Sequence, residues 1–147
     1  MAHIDEQPIK QASLEVQTDL NALHQVWQWF EQFNLKQFPD NCWDECKIAL
    51  TEGFTNAVNH AHQGLPSTTP IGLEVRIYID YLEIRIFDQG QPFNLETKLQ
   101  SVLQASPNIW QENGRGLIFM KQLMDSLSYI RLSNQHNCLI LRKGIRG

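Results

Sequence analysis

The stretch Leu50-Thr51-Glu52-Gly53-Phe54-Thr55-Asn56-Ala57-Val58-Asn59-His60 sets a carboxylate, an amide and an imidazole into an otherwise apolar run. From Cys42 to His62 there is no proline and one glycine, Gly53, so the spacing predicts a single long helix. Glu52 and Asn56 are four apart and share a face of it, with His60 a turn further on. A carboxylate and an amide stacked this way can hold a water, a metal ion or a hydroxyl between them. The same pair also suits a solvated stripe on an exposed helix. Gly53 costs a helix interior about 1 kcal/mol against alanine, which a close approach by a neighbour would explain.

On the N-terminal side, Ala12, Leu14 and Val16 alternate with polar residues and predict a half-buried strand. Thr18 and Asp19 can cap a helix carrying Leu20, Leu23, Trp27 and Phe30 at helical spacing. Pro39 ends it, and Asp40 or Asn41 can cap the long helix. On the C-terminal side, Gln63 to Pro70 reads as a loop. Leu73, Val75, Ile77 and Ile79, then Leu82, Ile84 and Ile86, alternate with polar residues, predicting an antiparallel hairpin turning at Asp80 and Tyr81. Gln89 to Asn113 is a long polar segment, with one or two helical turns in Leu95 to Leu103. Gly116 opens a helix with Leu117, Met120 and Met124 on one side, and strands at Ile130–Leu132 and Leu139–Leu141 follow a helix end and flank a turn at Asn134 to Asn137. The expected fold is α/β (α+β), a two-layer sandwich with a mixed, mainly antiparallel sheet and helices on one face.

A chain of 147 residues, 42% hydrophobic, suffices for one core without staples. Mean hydropathy is -0.34. Sixteen acidic against twelve basic residues give a net charge of -4, which argues against a nucleic-acid binder with a basic face. Cys42, Cys46 and Cys138 include no CxxC pair, so neither a disulfide scaffold nor a zinc ribbon is expected. Met1 to Lys10 has no apolar stretch, and no run approaches the roughly 20 residues that span a bilayer. A single cytoplasmic domain over residues 1–147 is expected, ordered from about 10 to 145.

Two further places break the local pattern. Alternation from Leu82 puts Asp88 on the core side of its strand, where a charge is costly unless something meets it. Gly90, two residues on, permits a close approach of backbone. A frayed strand end, with Asp88 capping a turn, would read the same way. Gly114-Arg115-Gly116-Leu117 opens a helix, where backbone N–H groups and the helix dipole favour an anion. Two glycines also serve a tight turn. Neither the dinucleotide fingerprint nor a Walker A loop is present. Cys42 and Cys46 read as small buried thiols. His60 and His62 do not face each other on a helix, which disfavours a shared metal.

An acid–Asn helix, a strand ending in Asp-x-Gly, a long segment and a Gly-x-Gly-Leu helix start together form a specific combination. It resembles the Bergerat-type ATPases, such as gyrase, heat-shock chaperones, histidine kinases and mismatch-repair proteins, from about Leu14 to Lys143. Among these it resembles the anti-sigma-factor serine/threonine kinases of bacterial sporulation and stress response, which are single small domains carrying Glu-x-x-Thr-Asn-Ala, as in Glu52 to Ala57, and Gly-Arg-Gly-Leu.

The resemblance implies roles. Asn56 coordinates the Mg²⁺ that bridges the phosphates of ATP, and Asp88 accepts from the adenine amino group. Gly90 lies beside adenine, while Gly114, Gly116 and the Leu117 backbone meet the phosphates, with Arg115 adding charge. Glu52 is the general base toward a protein Ser or Thr. Residues 91–113 are the lid, expected to be mobile without ligand. Lys98 is its one cation before Arg115, a departure from a lid rich in basic residues. The implied function is a kinase that binds a sigma factor and phosphorylates a STAS-type anti-sigma antagonist, with a homodimer possible and no contact with DNA or membrane. The alternative is a non-catalytic module that sequesters a sigma factor, with nucleotide as a conformational ligand. A third reading is a nucleotide-sensing output domain.

Overall fold

A computed structural model describes residues 7–34, 38–104, 115–133 and 135–145. Strand β1 is Lys10–Gln17, a 3₁₀ turn is Leu20–Ala22, and helix α1 is Leu23–Glu31. Helix α2 is Asp40–Asn56 and continues as a π-helical turn, Ala57–Ala61. The hairpin is β2, Pro70–Ile77, and β3, Tyr81–Asp88. Helices α3, Leu95–Gln104, and α4, Arg115–Leu123, precede β4, Ser126–Ser133, and β5, His136–Gly144.

The five strands form one sheet in the order β1-β2-β3-β5-β4, and all four pairings are antiparallel where a mixed, mainly antiparallel sheet was expected. Period-two alternation decides which face is covered. Leu73, Val75 and Ile77 of β2, Leu82, Ile84 and Ile86 of β3, and Leu139 and Leu141 of β5 are buried under the helices. Against them pack Val26 and Phe30 of α1, Ala49, Leu50 and Phe54 of α2, and Leu117 and Met120 of α4. Trp43 stacks on Phe30 with ring centroids 4.2 Å apart, which ties α2 to α1.

The glycine in mid-helix has the expected cause. A Cβ on Gly53 would sit 2.5 Å from Ile86 Cδ1 and 3.3 Å from Leu139 Cδ2, so α2 lies directly on β3 and β5. In the same register Asp88 pairs with Asn137 and Arg131 pairs with Asn137. A polar row therefore crosses β3, β5 and β4 immediately beside the apolar row of Ile86, Leu139 and Tyr129.

Four local expectations differ from the structure. The long helix changes from α to π after Asn56. The hairpin turn is earlier, because Tyr78 N–H donates to Tyr81 O at 2.8 Å, and Ile79 stands exposed in it. His136 and Asn137 belong to β5 rather than to a turn. On β4 it is Leu127 and Tyr129 that pack against the core, whereas Ile130 and Leu132 are exposed. Of the expected lid, Leu95–Gln104 is helical and buries Leu95, Leu99 and Val102, so its first half is anchored by more apolar surface than its composition suggested. Residues 105–113 of the lid and Gly114 lie outside the described residues.

Candidate functional site

A cavity of about 390 Å³ opens between the two layers. Gly53, Ile86, Leu117, Met120 and Leu139 give it an apolar floor. Asn56, His60, Asp88, Lys98 and Tyr129 give it polar groups from α2, the π turn, β3, α3 and β4. Phe93 stacks on Tyr129 at the edge, with centroids 4.5 Å apart.

Asp88 is 4% exposed, and three donors meet its charge. Gly90 N–H and Asn137 Nδ2 donate to Oδ1, each at 2.8 Å. The Tyr129 hydroxyl donates to Oδ2 at 3.0 Å. A carboxylate offers about four acceptor positions, so Oδ2 keeps one for a donor arriving from the cavity. Asn137 Nδ2 also donates to Gly90 O at 2.8 Å, and Arg131 Nη1 donates to Asn137 Oδ1 at 2.9 Å. The Asp88–Gly90 turn is thus held from both sides.

Gly90 makes its close approach to protein backbone. A Cβ there would lie 2.2 Å from Ala61 O and 2.8 Å from Ala61 C. The π turn is pinned against the same segment by His62, which is 1% exposed. His62 Nε2 accepts from Gln89 N–H at 2.8 Å. Thr18 Oγ1 donates to Thr69 O at 2.6 Å, so its remaining role toward His62 Nδ1, 2.8 Å away, is as acceptor. These bonds assign a neutral ring with the proton on Nδ1. Burial lowers the His62 pKa and the nearby Asp88 charge opposes that shift.

At the other end of the cavity, α4 starts against α2. A Cβ on Gly116 would lie 2.8 Å from Glu52 Oε2 and 3.3 Å from both Asn56 amide atoms. The absent side chain of Gly116 leaves the space that Glu52 and Asn56 fill. Asn56 lines the cavity and Glu52 stands one turn behind it. Leu117 is buried in the floor, and Arg115 is exposed with its guanidinium over the Phe119 ring at 5.1 Å.

The structure therefore gathers Glu52, Asn56, Gly116 and Leu117 at one end and Asp88 and Gly90 at the other. Lys98 also reaches the cavity. Tyr129, Asn137 and His62 were missed in sequence. Their partners in the site, Asp88 and Gln89, are 41, 49 and 27 residues away along the chain; the sheet register joins the first two, and the packing of the π turn beside the end of β3 joins His62.

The profile of the family described as Histidine kinase-like ATPase domain matches residues 16–143. The chain belongs to that family. Among curated relatives, the Serine-protein kinase RsbW of Oceanobacillus iheyensis is 34% identical over 102 residues, 67% of this chain and 62% of its own length. The proteins of that name from Listeria innocua and Bacillus licheniformis are 35% and 34% identical over 88 residues, 57% of this chain and 55% of theirs. The chain thus spans between about half and two thirds of these relatives. Among the described residues of this ATPase domain, no helix is long and apolar enough to cross a membrane.

Proposed function

We propose that this chain is a Mg-ATP-dependent serine/threonine kinase of the anti-sigma-factor type. It binds a sigma factor and transfers the γ-phosphoryl group to an antagonist protein. The observation that carries the reading is the two-ended cavity, with a buried carboxylate holding a spare acceptor position at one end and a carboxylate–amide pair packed on Gly116 at the other. The first end suits the amino group of adenine. The second suits phosphates, a hard cation and a hydroxyl.

The residues present fit a magnesium ion. The Asn56 amide oxygen, which lines the cavity, is a hard oxygen ligand, and the Glu52 carboxylate behind it is kept for the proton. Among the described residues no cluster of three or more His, Cys, Asp or Glu exists to cage a metal. Mg²⁺ takes one or two protein ligands and completes its shell with phosphate and water, so one oxygen ligand such as Asn56 is enough to hold it beside the phosphates. When bound, the cation neutralises phosphate charge. Glu52 accepts the proton of the attacking Ser or Thr hydroxyl as its oxygen bonds to the γ-phosphorus and ADP leaves. Positioning by Asn56, Gly116 and Lys98 supplies most of the remaining acceleration.

The test is transfer of radiolabel from ATP to the cognate antagonist. Wild type should transfer it, and Glu52→Ala should lose transfer while still binding sigma factor and nucleotide. Tight partner binding by wild type with no transfer would sink the kinase reading. It would favour the second reading, a sequestering module with nucleotide as conformational ligand, which the position of Glu52 behind the cavity lining also suits.

A further inference from the structure

Tyr129 is a residue that the nucleotide reading above does not use. Its ring lines the cavity, and its hydroxyl is 3.0 Å from Asp88 Oδ2, the carboxylate oxygen that has no other hydrogen bond among the described residues. The face of the ring is held against Phe93, so the hydroxyl is aimed by packing rather than left to swing. Burial and the adjacent Asp88 charge raise its pKa well above the ordinary phenol value, so it stays protonated and able to donate.

A fixed acceptor and a donor side by side form a two-point reader. On the edge of adenine, an amino group that donates adjoins N1, a ring nitrogen that accepts. We propose that Tyr129 is a specificity-determining residue that donates its hydroxyl hydrogen to purine N1 while Asp88 Oδ2 accepts from the amino group. The hydroxyl turns from Oδ2 to N1 as the base arrives, and the amino hydrogen replaces it at Oδ2. Asp88 therefore keeps its count of hydrogen bonds, and no buried group is left unpaired. A 6-oxo purine presents an acceptor to Asp88, which opposes it, and a hydrogen-bearing N1 that cannot take the Tyr129 hydrogen, so the donation that adenine receives is lost.

This rests on the nucleotide reading, and the experiment separates the two. Calorimetric Kd values are measured for ATP and 1-deaza-ATP, in which N1 is replaced by C–H, on wild type, Tyr129→Phe and Asp88→Asn. Wild type should bind 1-deaza-ATP about three- to tenfold more weakly than ATP, the size of one neutral hydrogen bond. Tyr129→Phe keeps the ring on Phe93, should lose a similar factor toward ATP, and should no longer distinguish the two ligands. Equal loss on 1-deaza-ATP in wild type and Tyr129→Phe, or no loss in wild type, would overturn the role of Tyr129. If ATP binding survives in wild type and vanishes in Asp88→Asn, the nucleotide reading stands in either case. If wild type binds neither ligand, both fail. The wild-type comparison of the two ligands needs no variant, so it decides even where Tyr129→Phe folds poorly.

Discussion

Gly90 and Gly116 lack a side chain for different physical reasons, and that difference separates stability from activity. At Gly90 the space is taken by backbone, the carbonyl of Ala61, which cannot swing aside without moving the π turn. At Gly116 it is taken by the ends of the Glu52 and Asn56 side chains, which can rotate away. Gly90→Ala should therefore destabilise the fold by about 1–3 kcal/mol, the usual range for overpacking, and weaken nucleotide binding with it. Gly116→Ala should change stability by less than about 1 kcal/mol, since alanine favours the helix, yet displace the carboxylate and amide and cut phosphoryl transfer at least tenfold. Thermal melts beside transfer assays check both. Equal destabilisation by the two substitutions would contradict this account. At this scale the sequence exposed Asp88, because a charge on the inward parity of a strand is visible in alternation alone. It did not expose Tyr129 or Asn137. Both sit in positions of unremarkable pattern, and their meaning comes from the Asp88↔Asn137 register and the position of β4 beside β5.

Among elements, the π turn is the one that departs from local expectation. Ala57-Val58-Asn59-His60-Ala61 would suit an α-helix as well, and π turns recur at functional sites. His62 N–H donates to Ala57 O, the π turn's own backbone bond, and what fixes it here is tertiary: the His62 ring is bonded to both Gln89 and Thr18. The strands and the other helices were legible because their apolar periods, two and 3.6, are carried by the residues themselves. The turn was not, because its cause lies just after β1, at Thr18, and just after β3, at Gln89. The His62 clamp also makes the element sensitive to acid. The neutral ring is the one that accepts from Gln89, and its folded pKa lies below the ordinary value of about 6.5. Stability from this bond is fully present above that ordinary value and is lost as pH falls through the folded pKa. Thr18 and Gln89 offer no titrating group, and Asp88 is the charge acting on the ring. Between pH 7.5 and pH 5 wild type should lose more stability than His62→Gln, whose amide can accept and donate without titrating. Denaturant titrations at both pH values decide it, and parallel pH dependence in the two proteins would contradict the clamp.

The whole molecule is a sheet with one covered face and one charged face. On the open side Glu83 is 1% exposed and accepts from Arg85 Nε at 2.7 Å and Arg142 Nε at 2.6 Å, joining β3 to β5 across a surface that needs no second helix layer. All helical packing is therefore concentrated on the other side, and the cavity lies in that one interface. Its walls come from both layers: α2 and α4 above, β3, β4 and β5 below. A ligand in it bridges elements that must separate when the chain unfolds, so binding free energy should appear as global stability. At a hundred times Kd that is about 2.7 kcal/mol, or roughly 5–10 °C in Tm for a chain of this size. Mg-ATP should give this shift, magnesium alone should give almost none, and Asp88→Asn should lose most of it. Asn56→Ala should keep a smaller, magnesium-independent shift, because the base end of the cavity is untouched. If saturating Mg-ATP leaves the melt of wild type unmoved, the cavity between the layers is not a nucleotide site. If Asp88→Asn keeps the full shift, the base does not bind at the Asp88 end.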